Sequence, residues 1–251
     1  MLYSSNPDSQ TLFEEQGWSG AVQQKPLKHH SALNDYLAVV ISNIGGGKTD
    51  IYTDSVLDST TTIKHDGSIE RTIWFSREHK GGDTPYLWYN KSNYGYVRFY
   101  VPLGSQLIEA SGFAQEPEYI FTDYIAQGYT TDPELALSES TLTKHNESNT
   151  DIFEETGKTV FGNWMFIRPG TKQVAYITYR LPEVVSSDVR RYNLTMQKQA
   201  GVEVQYSDTL EVEPDDVAIR DCSLNDQRTP ISKFTFTQTQ DSIFSCDVTH
   251  K

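Results

Sequence analysis

From Tyr36 to the C-terminus the chain is a series of short runs in which apolar and polar side chains alternate, punctuated by turn residues. A period of two fits a half-buried strand and does not fit a helix. In Val202 to Glu213, Val202, Val204, Tyr206, Leu210 and Val212 share one face, against Glu203, Gln205, Glu211 and Glu213. That pattern belongs to an antiparallel sheet with one solvated side. Tyr96 to Val101 and Lys172 to Leu181 alternate in the same way, while Tyr36 to Ser42 is continuously apolar, as a fully buried strand would be. His65-Asp66-Gly67, between the β-favouring runs Ile51 to Ile63 and Ser68 to Ser76, predicts a hairpin. Thr159 to Ile167, Tyr192 to Gln199, Ser232 to Gln238 and Ser242 to Val248 complete the set. No fixed period recurs, which argues against a propeller or solenoid. The expected class is all-β, an antiparallel β-sandwich or sandwiches with a short N-terminal helix.

The helix is read at Asp8 to Gly17, with Asp8 or Ser9 as its cap and Gly17 as its stop. Residues 1–34 then form an N-terminal helix and loop, and residues 35–251 the sandwich region. The polar stretch Thr130 to Lys158 reads as a long exposed loop or an inter-domain connection. The region is therefore either one body or two packed sandwiches divided near 126–158, and a length of 251 residues allows both.

The formal net charge is −13. Phosphate backbones and anionic lipid surfaces both attract basic patches, so this balance argues against a nucleic-acid partner and against adhesion to anionic membranes. No stretch is long and apolar enough to span a bilayer, and the N-terminus lacks the basic flank and apolar core of a signal peptide. The chain is expected either to be cytosolic or to be the soluble part of something longer. Cys222 and Cys246 lie in one short terminal region and form the candidate disulfide of an oxidising compartment, with buried free thiols as the alternative.

Chemical motifs are thin. Gly45-Gly46-Gly47-Lys48-Thr49 follows an apolar run, but Ser42 stands where a phosphate-binding loop has its first glycine. Asp50 to Thr53 then reads as strand rather than as the helix such a loop must enter. This predicts a glycine-rich turn with Lys48 exposed. His29-His30 lacks partners at metal spacing. Gly104-Ser105 and Gly67-Ser68 lack the pattern of a nucleophile elbow. Acidic pairs such as Asp215-Asp216 and Glu154-Glu155 are abundant, but abundance names no catalytic couple. No cofactor or metal is expected. The segment Pro85 to Tyr96 is aromatic and polar together, and Trp88, Tyr89 and Tyr94 are the candidate sugar-stacking residues. Core or cross-strand packing is their alternative.

Several segments together resemble the family called domain of unknown function 4012. They are LYSSNPDSQTLFEEQGWSG at 2–20, DYLAVVISNIGGGKTDIY at 35–52, YGYVRFYVPLGSQLIEASGF at 94–113 and EETGKTVFGNWMFIRPG at 154–170, followed by ITYRLP at 177–182 and YNLTMQKQAGVEV at 192–204. The order is the specific part, and the tail after Glu213 lies outside the resemblance. The resemblance implies a bacterial envelope protein whose N-terminal membrane helix is absent from this chain, which would then be a soluble, extracytoplasmic C-terminal portion. It supplies no catalytic residues, and Gly47 and Lys48 are a family landmark without an assigned role. The expected function is a non-catalytic envelope domain, binding or structural. Its expected partners are cell-surface polysaccharide or another envelope protein. A glycan-acting enzyme with an unnamed carboxylate pair is the alternative, and an architectural spacer is a third reading.

Overall fold

The computed structural model describes residues 4–16, 18–20, 22–23, 31–117, 123–229 and 233–250. His29, His30 and Gly17 fall outside them. The elements follow the alternation closely. They are α1 (Pro7–Glu15), β1 (Ala32–Asn43), β2 (Thr53–Ile63), β3 (Ser68–His79), β4 (Asn93–Pro102), β5 (Gln106–Ser111), α2 (Pro133–Ser140), β6 (Thr143–Lys144), β7 (Asp151–Glu155), β8 (Lys158–Ile167), β9 (Lys172–Val184), β10 (Arg191–Gln197), β11 (Val204–Val212), β12 (Val217–Leu224), β13 (Gln227–Arg228), β14 (Lys233–Gln238) and β15 (Ser242–His250). Helix α1 starts one residue earlier than expected: Asn6, not Asp8 or Ser9, is the cap, and its side chain accepts from the Ser9 amide at 3.1 Å. Pro7 suits the first helical position because its missing N–H has no helical partner there anyway.

Two sheets face each other. Among the described residues one has nine strands in the order β13-β12-β15-β10-β1-β4-β8-β7-β6, and the other has six in the order β14-β11-β2-β3-β9-β5. Inward residues of both sheets, such as Leu37, Val97, Phe161 and Leu194 from one and Leu57, Phe75, Ile177 and Leu210 from the other, meet in a common core. Each sheet holds one parallel pair, β1 with β10 and β2 with β11, so the sandwich is mixed rather than wholly antiparallel. The cause lies in the connections. The chain crosses from the first sheet to the second between β1 and β2, and crosses again in the same sense between β10 and β11. Two like crossings laid side by side must pair in parallel, and alternation along a strand carries no information about direction.

The hairpin expected at Asp66-Gly67 joins β2 to β3. Gly67 has φ +79°, and a Cβ there would lie 2.7 Å from the Val185 carbonyl oxygen, so only glycine fits. The polar stretch 130–158 is not a plain loop. It contains α2, β6 and β7, and β7 extends the nine-stranded sheet by pairing with β8. β6 is the edge strand and β7 its neighbour, and their side chains are exposed or half-exposed, which is why their composition reads as polar. No helix of the described residues is long and apolar enough to cross a membrane.

Candidate binding site

The β1–β2 and β3–β4 connections emerge at the same end of the sandwich and form a joint apex. The first makes the glycine turn and then a 3-10 turn at Thr49–Tyr52, where the sequence suggested strand. Polar hooks override the β-propensity of Ile51 and Tyr52 there. Asn43 Nδ2 donates to the Gly47 carbonyl at 2.8 Å and to Asp50 Oδ2 at 2.7 Å. Arg77, almost fully buried at the end of β3, donates to Asp50 Oδ1 at 2.7 Å and to Asn93 Oδ1 at 2.9 Å. Burial pushes the Arg77 guanidinium below its ordinary range, and the Asp50 carboxylate opposes that push. Asn93 in turn donates to Thr49 Oγ1 at 2.9 Å. Lys48 is exposed on the turn, and only the four-residue 3-10 turn and then β2 follow it, not an α-helix, so the phosphate-loop geometry is absent at this turn.

The second connection is tied down equally well. His79 is fully buried; its Nδ1 accepts from the Gly81 amide at 3.0 Å and its Nε2 faces the Lys91 carbonyl at 2.9 Å. One nitrogen accepts and the other must donate, which fixes the neutral tautomer with the proton on Nε2. Asn90 Oδ1 accepts from the amides of Gly82 and Thr84 at 3.0 and 3.1 Å, and Asn90 Nδ2 donates to the Thr84 carbonyl at 2.7 Å. These bonds shape a second 3-10 turn, Leu87–Asn90.

Aromatic rings cap the apex. Tyr86 and Trp88 stack with centroids 5.0 Å apart and planes 26° apart. Tyr89 meets each of them edge-on at 5.8 Å, and its ring also lies 5.0 Å from Tyr52 of the first connection. Trp88 is 47% exposed, Tyr86 51%, and the flanking Leu87 and Ile51 are 78% and 74% exposed. Two of the three candidate stacking residues, Trp88 and Tyr89, are thus brought together. Tyr94 is not with them. It points outward from β4 and packs on Phe166 at 4.5 Å and Trp164 at 6.2 Å, a cross-strand role. Tyr86 and Tyr52 take its place; both are aromatics in turn segments, the signal that sequence reasoning can use for them. Separately, the exposed Trp74 packs on the half-buried Tyr176 at 4.5 Å on the outer face of the six-stranded sheet.

Cys222 and Cys246 are joined as a disulfide between β12 and β15. The ladder runs Arg220–Asp247 and then Ser223–Ser245, so Asp221 and Cys222 together oppose Cys246. This is a bulge, and Asp221 takes φ +44° within it. The extra residue turns Cys222 to the inner face, where Cys246 already lies. Among the described residues no group of three or more His, Cys, Asp or Glu side chains is arranged to hold a metal ion.

No family profile matches the chain, and no curated protein matches it. Solved structures with a similar course include a Legionella pneumophila protein described as a candidate nutrient binding protein, at 7% identity and a TM-score of 0.38, over 84% of this chain and 70% of that one. An M1 zinc metallopeptidase from Deinococcus radiodurans aligns at 10% identity and a TM-score of 0.25, over 78% of this chain and 42% of its own. At these scores neither likeness carries an argument about function.

Proposed function

We propose that the chain is a non-catalytic, extracytoplasmic binding domain of the bacterial cell envelope, and that its aromatic apex holds surface polysaccharide. The observation that carries this reading is the exposed Tyr86–Trp88 stack, held by two hydrogen-bonded connections rather than left on a loose loop. A fixed aromatic face costs little ordering entropy on binding, and pyranose rings present apolar faces to such surfaces. The neighbouring Tyr52, Tyr89 and Asn90 side chains add polar atoms for sugar hydroxyls at the rim. The net charge of −13 disfavours an anionic headgroup as the occupant. The Cys222–Cys246 bridge suits an oxidising compartment. The envelope setting rests on the ordered segments described under sequence analysis, from residue 2 to residue 204.

A glycan array with the purified protein tests this. Binding to envelope polysaccharides that falls at least tenfold in Trp88→Ala, about 1.4 kcal/mol or more, is the expected result. Binding untouched by Trp88→Ala, or no binding to any polysaccharide, would remove the apex or the ligand class respectively. Release of new reducing ends from a bound glycan would instead favour the enzyme alternative.

A further inference from the structure

Midway through the core the apolar packing is interrupted by a closed set of polar groups. Arg71 of β3 is completely buried, and its Nη2 lies 3.0 Å from Asp35 Oδ2 of β1 and 3.4 Å from Asp208 Oδ2 of β11. The same nitrogen donates to the Tyr192 hydroxyl of β10 at 2.8 Å, and that hydroxyl donates to Asp35 Oδ2 at 2.7 Å. Arg71 Nε donates to Thr61 Oγ1 of β2 at 2.9 Å. Asp35 is therefore well served. Asp208 is not, since neither of its oxygens accepts a hydrogen bond, and Arg71 Nη1, Ser59 Oγ and the hydroxyls of Tyr179 and Tyr206 also lack partners. Two carboxylates face one guanidinium, so full ionisation would leave a surplus negative charge in the dry core, a state that costs several kcal/mol. Glu183, exposed near the end of β9, adds to that surplus if ionised, and partial desolvation together with Asp35 pushes its carboxyl up.

We propose that this cluster is an internal proton-binding site: Asp208 holds one proton between the two sheets, and releasing it at alkaline pH loosens their packing. Protonation removes the surplus charge and gives Asp208 an O–H donor in a place where Ser59 and Tyr206 have unused acceptors. Burial pushes the Asp208 carboxyl up to about 7, against the pull of Arg71 and with a contribution from Asp35. Ser59 lies near enough to polarise that carboxyl without reaching hydrogen-bond geometry. Tyr206, which precedes Asp208 on the inner face of β11, also lines a water-sized cavity together with Leu37, Leu57, Gln199 and Gln238. The inference is independent of what the apex binds.

The test compares the whole chain with Asp208→Asn, which keeps the shape and removes the titration. Chemical unfolding is followed from pH 5 to pH 9. The ratio of the wild-type unfolding constant to that of Asp208→Asn should rise by up to tenfold per pH unit towards pH 7 and then level off. Infrared difference spectra of the wild type at pH 6 and pH 9 supply a readout that needs no variant to fold. They should show an un-ionised carboxyl C=O band that disappears at the higher pH, and where Asp208→Asn folds it should lack that band. Asp35→Asn leaves Arg71 to Asp208 alone and should move the midpoint of the band downwards. Parallel pH profiles for wild type and Asp208→Asn, or no carboxyl band at pH 6, would overturn the proposal.

Discussion

Asp208 and Arg71 sit at positions that the period of two assigns to the inside of their strands, between Tyr206 and Leu210 and between Ile69 and Ile73. The alternation that makes these strands legible therefore also announces the core cluster, but a count of apolar residues passes over a charged side chain at an inward position. What alternation cannot show is that Asp35, Arg71 and Asp208, on strands of two different sheets, converge. Cys222 is the opposite case. Continuing the inward parity of Val217 and Ile219 would place it outward, and only the bulge at Asp221 brings it inside. The bridge closes a sequence separation of 24, for which loop-closure entropy gives about 3 kcal/mol. Cys222→Ala with Cys246→Ala should accordingly lower the unfolding free energy obtained by denaturant titration by about that amount, without changing the far-ultraviolet spectrum. An unchanged unfolding free energy would mean that the bridge constrains nothing.

At the scale of elements, strand positions are legible to within a few residues because each has an apolar face with a clear period. The misses have physical causes. β5, β6 and β13 lie at sheet edges and β7 and β12 lie next to one, where one side chain in two no longer needs to be apolar. The 3-10 turn at Thr49–Tyr52 defeats propensity because Asp50 is held by Asn43 and Arg77, residues distant in sequence or on another strand. This network is also what makes the apex rigid. Asp50→Ala would strip a nearly buried guanidinium of its anion and free the first connection. The expected cost is about 1–2 kcal/mol, reduced from that of a fully buried pair because the Asp50 side chain is 42% exposed. Amide exchange should quicken over 44–52 and 87–93 while the strand amides of β2 and β9 stay protected. Uniform acceleration across both sheets would show that Asp50 supports the whole fold rather than the apex.

For the whole molecule, strands from before and after residues 126–158 share both sheets, since β1 pairs with β10 and β2 with β11. Each of those parallel pairs requires contacts far apart in sequence, which is why composition and period reveal the layers but not their threading. The aromatic apex was half legible: Trp88 and Tyr89 stand out as ring-rich turn residues, whereas Tyr94, equally aromatic, belongs to a strand and is spent on cross-strand packing. Other aromatic pairs reach the surface, Trp74–Tyr176 on the outer sheet face and Tyr124–Tyr129 before α2, but ligand binding is assigned to Tyr86–Trp88 at the apex. Amide-shift mapping by nuclear magnetic resonance, with an envelope polysaccharide titrated into the labelled protein, separates them directly. Shifts confined to residues 44–52 and 83–91 are the predicted result. Shifts centred on Trp74 and Tyr176, or none at all, would contradict it.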